Sequence, residues 1–252
     1  MSDKVFLVTG AATGIGRAIA LRAASEGCFV IAADLSDSTE TVASILAAGG
    51  AAAAYQCDVS DGPSVDALFT RVEKNHGPID VLVNNAGTMG RWPLSVLDTT
   101  EEDWHSILDT NLKSVFLCSR RAIPGMRKAQ QGVIVNIASE LAFVVAEGCG
   151  VYCASKAAIL HLSKALAVEE AVHGIRVNCV CPGPVDTQML LPTVNNDELS
   201  SENAVAESAS FTSVGRVGKP EEIANVVWFA ASSEASFMVG SALLADGGVT
   251  LT

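Results

Sequence analysis

A tyrosine and a lysine four residues apart, Tyr152 and Lys156, are the side chains with the clearest chemical potential in this sequence. On a helix this spacing places both side chains next to each other on one face. Tyrosine is a poor acid–base at its free pKa of about 10, and a neighbouring ammonium stabilises the phenolate. Taken alone, the pair is typical of many helix surfaces. Ser139, which closes an apolar strand, would add a hydroxyl to the same crevice, so the three side chains together predict proton exchange with a substrate oxygen.

A glycine-rich turn near the N-terminus predicts a nucleotide site. The segment Thr9-Gly10-Ala11-Ala12-Thr13-Gly14-Ile15-Gly16 follows an apolar strand and opens a helix, so that backbone N–H groups can approach a pyrophosphate. Asp34 closes the second strand, about 20 residues after the glycines, where a carboxylate binds the adenine ribose hydroxyls. Its charge repels the 2′-phosphate of NADP, and the Leu35-Ser36 that follows contains no basic side chain. NAD is therefore the favoured cofactor.

Apolar runs of strand length alternate with helical patterns along the whole chain. The predicted strands are 5–8, 29–33, 53–57, 81–83, 133–138, 176–180 and 242–245. The predicted helices are 15–25, 39–47, 63–75, 101–128 with an interruption at Pro124, 152–172 and 221–231. This alternation predicts an α/β fold with a doubly wound parallel sheet and helices on both faces. Residues 1–252 are predicted to form a single dinucleotide-binding and catalytic domain, with the irregular stretch 187–215 as a substrate lid.

The composition limits the partners that this protein can have. A formal net charge of −12 argues against binding to nucleic acid or to an anionic membrane surface. The first residues lack the features of a signal peptide, and no uncharged apolar stretch reaches about 18 residues, so a cytoplasmic protein with no membrane association is predicted. The seven cysteines are scattered through apolar runs without zinc-type spacing, so no metal site is expected.

Further motifs stand in a fixed order along the chain. The full set is Thr9-Gly10-xxx-Gly14-x-Gly16, Asp58-Val59, Asn84-Asn85-Ala86-Gly87, Asn111, Ser139, Tyr152-xxx-Lys156, Asn178, Pro182-Gly183 and Asp246-Gly247-Gly248. In these motifs the sequence strongly resembles the short-chain dehydrogenase/reductase family over essentially its whole length. The resemblance implies a Rossmann-type sheet of about seven strands in the order 3-2-1-4-5-6-7, assembly as a homotetramer, and NAD(H)-dependent interconversion of a secondary alcohol and a ketone.

The resemblance also implies a role for each matching residue. Tyr152 is expected to exchange the proton with the substrate oxygen and Ser139 to orient that oxygen. Lys156 is expected to bind the nicotinamide ribose and, together with the nicotinamide's positive charge, to lower the pKa of Tyr152. Asn111 is expected to hold a water that links Lys156 to solvent, and Asp58 with Val59 to bind adenine. The remaining cofactor contacts fall on Gly10, Thr13, Gly14, Ile15, Gly16, Asp34, Asn85, Ala86, Gly87, Pro182, Gly183, Val185 and Thr187.

The charges of the predicted substrate-binding region limit the class of substrate. Residues 177–215 contain no Lys, Arg or His but five acids, which makes phosphorylated, CoA-linked or carrier-bound substrates poor partners. Ketoacyl reductases of the family tend to carry basic residues at places that here read Gln130-Gln131 and His173-Gly174. A neutral cyclic alcohol, polyol or hydroxysteroid is therefore favoured, with a 3-oxoacyl-carrier-protein or acyl-CoA reductase as the alternative. A non-catalytic NAD-binding protein would not need the intact set of Asn111, Ser139, Tyr152 and Lys156.

The candidate substrate contacts are Glu140, Leu141, Cys149, Leu190, Leu191, Phe211 and Arg91. Two of them are open to a second interpretation. Glu140 follows Ser139 where the family usually has a small residue, and a solvated loop acid is favoured over a pocket residue. Arg91 is favoured as a surface residue, whereas at the pocket mouth it would admit a carboxylated cyclic alcohol.

Overall fold

The computed structural model describes residues 4–190 and 201–251 of the chain. Seven strands within these residues form one sheet in the order β3-β2-β1-β4-β5-β6-β7, and all neighbouring strands are parallel. The strands are β1 (Val5–Thr9), β2 (Phe29–Asp34), β3 (Ala51–Gln56), β4 (Val81–Asn84), β5 (Gly132–Ile137), β6 (Ile175–Pro182) and β7 (Ala242–Ala245). The predicted doubly wound sheet and its strand order are confirmed.

Helices cover both faces of this sheet. They are α1 (Gly14–Ser25), α2 (Thr39–Ala47), α3 (Gly62–His76), α4 (Glu101–Leu108), α5 (Ser114–Ala129), α6 (Gly150–Glu170), α7 (Ser201–Ser210) and α8 (Pro220–Ala231). Alternate residues of β1 point into two separate cores. Phe6 and Val8 pack in the cluster that includes α1 and α8, whereas Val5 and Leu7 pack in the cluster that includes α3 and α5.

Strand composition follows position in the sheet. Every residue of β1 is buried, as expected for a central parallel strand covered on both faces. The edge strand β3 reads Ala-Ala-Ala-Ala-Tyr-Gln and buries only Tyr55. Alanine has little strand preference of its own, so pairing with β2 decides the limits of β3, which begins at Ala51 instead of the predicted residue 53.

The long helix predicted over 101–128 differs from the structure. The α-helical geometry is interrupted at a π-helical turn, Asp109–Lys113, which separates α4 from α5. Pro124, the predicted interruption, lies inside α5, which continues to Ala129. The π turn places Asn111 in the interior, and π turns often occur where a helix must aim a side chain at a functional site.

The stretch predicted as an irregular lid contains regular structure as well. A 3₁₀ turn spans Gln188–Leu190, and α7 spans Ser201–Ser210. Alanine and glutamate in α7 are good helix formers, but the segment shows little apolar periodicity and for that reason was not predicted as a helix. Leu191 lies outside the described residues.

By length and composition alone, Gly150–His173 is apolar enough to cross a membrane. In this fold half of its most apolar window is buried inside the protein. Its buried polar groups bond internally: the Ser155 hydroxyl donates to the Tyr152 carbonyl and the Ser163 hydroxyl to the Ile159 carbonyl. The helix is therefore the core helix that carries Tyr152 and Lys156 to the sheet edge.

Candidate active site

The carboxyl ends of β1 and β4 are joined where the strand order reverses, the usual position of a ligand crevice in such sheets. The Thr9 hydroxyl oxygen accepts hydrogen bonds from the backbone N–H groups of Asn85 (3.0 Å) and Ala86 (3.1 Å). The Asn85 amide donates in return to the carbonyls of Thr9 (2.9 Å) and Gly10 (3.1 Å). Gly16 is required here because a Cβ at this position would collide with the Gly10 carbonyl oxygen. The glycine turn and the Asn84–Gly87 segment therefore form one rigid floor.

The start of α1 is open to an anion. Thr13 precedes the helix in an extended conformation, and its side chain caps none of the N–H groups of the first turn. These N–H groups have no partner within a helix and lie at its positive end. Gly14, with φ +54°, keeps the backbone accessible there. The turn fits the pyrophosphate of a dinucleotide by this arrangement of donors.

Asp34 stands at the end of β2 beside the same turn. Its Oδ2 accepts the Ala12 N–H and its Oδ1 the Ser36 N–H, both at 2.8 Å. The carboxylate, Leu35 and Ser36 line the cavity. The nearby Arg17 is not part of that lining and donates to Glu40 at 2.8 Å. An acid without a neighbouring free base is suited to ribose hydroxyls and poorly suited to a phosphate.

Asn111 connects three elements at the floor of the site. Its Nδ2 donates to the Thr88 carbonyl (2.9 Å) and the Ser155 hydroxyl (3.0 Å), while its Oδ1 accepts the Thr88 N–H (2.7 Å). A Cβ placed on Gly87 would lie 3.3 Å from Asn111 Oδ1 and 3.4 Å from Lys156 Nζ, so glycine keeps this space open. In this structure Asn111 ties the segment after β4 to α6.

Ser139 follows β5 and caps the 3₁₀ turn Glu140–Ala142. Its Oγ accepts the Leu141 N–H at 3.1 Å and donates to Glu140 Oε2 at 2.5 Å. Glu140 is only 9% exposed, so its favoured interpretation as a solvated loop acid is wrong. The turn folds the Glu140 side chain back over the strand end instead of out to solvent. Burial raises the pKa of Glu140, and the Ser139 hydroxyl opposes this effect.

Tyr152 and Lys156 lie buried on one face of α6, as their spacing predicts. Lys156 Nζ donates to the Ile137 carbonyl at 3.0 Å and lies 5.4 Å from the centre of the Tyr152 ring. Burial lowers the pKa of Lys156 to about 8. Burial also raises the pKa of Tyr152, the negative charge of Glu140 raises it further, and the Ser139 hydroxyl opposes both. On balance the groups of this chain therefore favour the neutral phenol, and the expected lowering of the Tyr152 pKa by Lys156 together with a bound nicotinamide stays a prediction.

One cavity of about 1090 Å³ joins the nucleotide and chemical ends. It is lined by Gly10, Thr13, Gly14, Ile15, Gly16, Asp34, Asp58, Val59, Asn85, Ala86, Gly87, Ser139, Tyr152, Lys156, Pro182, Gly183, Val185 and Thr187 among the predicted catalytic and cofactor residues. Of the predicted substrate contacts, the lining includes Glu140, Leu141, Cys149, Leu190 and Phe211. The sequence therefore predicted residues that the fold brings to one cavity from the ends of strands β1 to β6 and from α6.

Of the predicted residues that the structure describes, two fall outside this lining. Asn111 lies behind it, as its bonds to Thr88 and Ser155 require. Arg91 is exposed and forms a two-point ion pair with Asp103, in agreement with its favoured interpretation as a surface residue. That pair also holds the pKa of Asp103 well below its usual range. In the described part of the chain, no cluster of His, Cys, Asp or Glu could hold a metal ion.

Sequence reasoning missed several wall residues at the substrate end. They are Met89, Trp92, Val144, Val145, Glu147, Gln188, Met189 and Glu207. Cys149, Tyr152 and Cys153 pack with Met89 and Trp92 in one apolar cluster. Most of these residues lie in loops without periodicity, whereas Gln188 and Met189 lie in a 3₁₀ turn and Glu207 lies on α7. The one available signal for the loop residues was their position after strand ends that already carried motifs.

Comparisons with known proteins agree with this geometry. The model of a family described as enoyl-(acyl carrier protein) reductase matches residues 10–250. A 3beta-hydroxysteroid dehydrogenase 1 from Eggerthella lenta is 38% identical over 100% of this chain and 95% of its own length. A 3-oxoacyl-(acyl-carrier-protein) reductase FabG from Thermotoga maritima is 39% identical over 100% of this chain and 99% of its own length. A meso-2,3-butanediol dehydrogenase from Serratia marcescens is 38% identical, covering 98% and 95%.

A solved structure shares the whole fold. The short-chain type dehydrogenase/reductase from Mycobacterium marinum superposes with a TM-score of 0.92 at 34% identity, and the match covers 100% of this chain and 97% of that one. The chain therefore belongs to the short-chain dehydrogenase/reductase family, and the resemblance seen in its motifs is confirmed.

Proposed function

We propose that this protein is an NAD(H)-dependent oxidoreductase that interconverts a neutral secondary alcohol and its ketone. The observation that carries the proposal is the convergence of Ser139, Tyr152 and Lys156 on one cavity that also contains the open start of α1. Relatives named for hydroxysteroid and butanediol substrates support this reaction class. A cyclic alcohol, a polyol or a hydroxysteroid is the favoured substrate.

The residues of this chain supply the proton chemistry and the orientation. A nicotinamide cofactor held in this cavity would supply the hydride acceptor for alcohol oxidation and the hydride donor for ketone reduction. Tyr152 removes the hydroxyl proton in oxidation and gives it back in reduction, so it must be a phenolate for one direction and a phenol for the other. Ser139 would hydrogen-bond the same substrate oxygen, and Lys156, which lies beside the Tyr152 ring, would bind the nicotinamide ribose. Asp58 and the backbone of Asn85–Gly87 line the adenosine end.

The proposed cofactor preference rests on Asp34. Its carboxylate lines the cavity beside Leu35 and Ser36, and a phosphate there would meet a negative charge. NAD(H) should exceed NADP(H) by at least about tenfold in kcat/KM, which corresponds to about 1.4 kcal/mol. Asp34→Ala combined with Leu35→Arg should narrow or reverse this preference, since it removes the repulsion and adds a phosphate partner. Equal kcat/KM of the unmodified protein with both cofactors would contradict the proposal.

The alternative is reduction of a 3-oxoacyl group on a carrier protein or CoA, which the Thermotoga maritima relative represents. The charges at the substrate end oppose it. Among the described residues, the substrate end of the cavity lining contains Glu140, Glu147 and Glu207 but only one base, the buried Lys156. A phosphorylated carrier arm would find no partner there. Turnover of acetoacetyl-CoA faster than of any neutral ketone would favour the alternative.

We also propose a homotetramer in the cytoplasm. Exposed apolar side chains on α5 and α6 support the assembly, and seven reduced, buried cysteines support a reducing compartment.

The deciding experiment for the activity is a panel of secondary alcohols with NAD and ketones with NADH, followed by NADH absorbance. Turnover of at least one neutral substrate is expected, and failure of the whole panel would contradict the proposed function.

A further inference from the structure

The proposed reaction gives no role to Glu140, although Glu140 stands beside its reacting groups. Glu140 is buried, lines the cavity and is hydrogen-bonded to Ser139. None of the ion pairs in 4–190 and 201–251 includes Glu140. Burial of a carboxylate without a cation costs free energy unless donors compensate it. A substrate that brings a donor to Glu140 would therefore be favoured over one that does not.

The Ser139 hydroxyl has a single proton, and in this structure that proton is engaged. Ser139 Oγ donates to Glu140 Oε2 at 2.5 Å while it accepts the Leu141 N–H. A hydrogen bond to a carboxylate is roughly twice as strong as one to a neutral oxygen. While Glu140 is ionised and has no competing donor, its carboxylate therefore competes with the substrate oxygen for the Ser139 proton.

A second hydroxyl on the substrate would change this balance. The two oxygens of a vicinal diol are separated by roughly one hydrogen-bond length, about 2.7 Å. Glu140 Oε2 is likewise one hydrogen bond away from Ser139 Oγ. When the reacting oxygen lies at Ser139 and Tyr152, a hydroxyl on the neighbouring carbon can therefore reach the Glu140 carboxylate.

On the basis of the proposed alcohol–ketone reaction, we propose that Glu140 determines specificity for vicinal diols and α-hydroxyketones. It binds the hydroxyl next to the reacting carbon and thereby releases the Ser139 proton to the reacting oxygen. A carboxylate or phosphate on the neighbouring carbon is excluded, because it would meet Glu140 with a like charge and without a donor. Glu147 and Glu207 line the same cavity and add to this exclusion.

The test compares cyclohexanol with cis-1,2-cyclohexanediol, which differ by one hydroxyl. The unmodified protein should oxidise the diol with the higher kcat/KM. In Glu140→Ala the diol-to-cyclohexanol ratio of kcat/KM should fall at least about tenfold, since a hydrogen bond to a charged group is lost. Cyclohexanol itself should react as well as before or faster, because Ser139 is released. Glu102→Gln removes an equal charge from the exposed start of α4, outside the cavity lining, and should leave the ratio unchanged.

Calorimetry of both alcohols with the NADH-bound protein gives the second readout, because no turnover occurs in that complex. In Glu140→Ala the diol-to-cyclohexanol ratio of Kd should rise, because only the diol loses a hydrogen bond. Glu140→Gln serves if the alanine variant does not fold. An unchanged ratio, including one in which both alcohols lose the same affinity, overturns the role of Glu140. Absence of turnover with every alcohol would count against the proposed function alone, because the binding ratio still decides the Glu140 proposal.

Discussion

At the scale of residues, the chemistry of the site depends on which side chains of a buried cluster carry a proton. Tyr152, Lys156, Ser139 and Glu140 are all shielded from water. Burial disfavours the charged form of each ionisable member, so the pKa of Tyr152 and of Glu140 rises and that of Lys156 falls to about 8. The chain by itself therefore holds Tyr152 as a neutral phenol, the form that ketone reduction requires.

Alcohol oxidation requires the other form, and this leads to a prediction about pH. Without cofactor, Tyr152 should ionise at a higher pH than free tyrosine, because burial and Glu140 raise its pKa. Saturating NAD should move that ionisation to lower pH, since the positive nicotinamide favours the phenolate, whereas NADH should not. The chain contains only two tyrosines, so ultraviolet titration with Tyr152→Phe as the blank resolves the signal. An ionisation at the same pH with and without NAD would contradict this account.

At the scale of elements, helix ends and strand ends hold the cluster together. The π turn Asp109–Lys113 is the clearest case, since it aims Asn111 at Thr88 and Ser155. The capping box of α4, in which Thr100 and Asp103 bond each other's backbone, fixes where that helix begins. The buried amide of Asn111 therefore joins the segment after β4, the π turn and α6 at the site.

Asn111→Ala should cost about 2–4 kcal/mol of unfolding free energy, because it leaves the Thr88 N–H and carbonyl and the Ser155 hydroxyl without this partner. Urea unfolding measures the loss. Asn111→Asp keeps the acceptor for the Thr88 N–H but sets a buried carboxylate oxygen against the Thr88 carbonyl, so it should also destabilise the protein. A loss below about 0.5 kcal/mol, the range of an ordinary surface substitution, would show that Asn111 does not join these elements.

The sequence was sufficient to predict the strands and helices whose periodicity or motifs are strong. The strand order came with the family resemblance, and the cavity lining includes all of the predicted cofactor residues. The π turn was not predicted, because it needs only a small change of helical hydrogen bonding that leaves the apolar spacing intact. The burial of Glu140 was missed because a carboxylate after a strand is typical of a solvated loop. Only the geometry of the turn at Ser139 shows that it points inward.

At the scale of the whole molecule, part of the described surface is apolar without a covering element. Val168 on α6 is 82% exposed, and Val172 in the turn after α6 is 79% exposed. Phe116 on α5 is 48% exposed. Other apolar residues of α6 are accounted for, since Leu160 is buried and Leu162 and Leu166 pack against the core. The uncovered side chains are what a symmetric interface between copies would bury.

Val168→Glu should therefore dissociate the proposed homotetramer into smaller species, because a charge would be buried against its own symmetry mate. Sedimentation velocity at micromolar concentration measures the change. The matched control is Val145→Glu, which introduces the same charge on the loop before α6, at 85% exposure, and should leave the assembly intact. A stable, active monomer of the unmodified protein would contradict the proposed tetramer.

The turnover of Tyr152→Phe tests the central claim most directly. This variant keeps the buried ring but removes the atom that exchanges the proton with the substrate oxygen. With saturating NADH and any ketone that the unmodified protein accepts, its turnover should fall to well under a tenth, while NADH still binds. Retention of more than about a tenth, an effect below about 1.4 kcal/mol, would show that Tyr152 is not the acid–base.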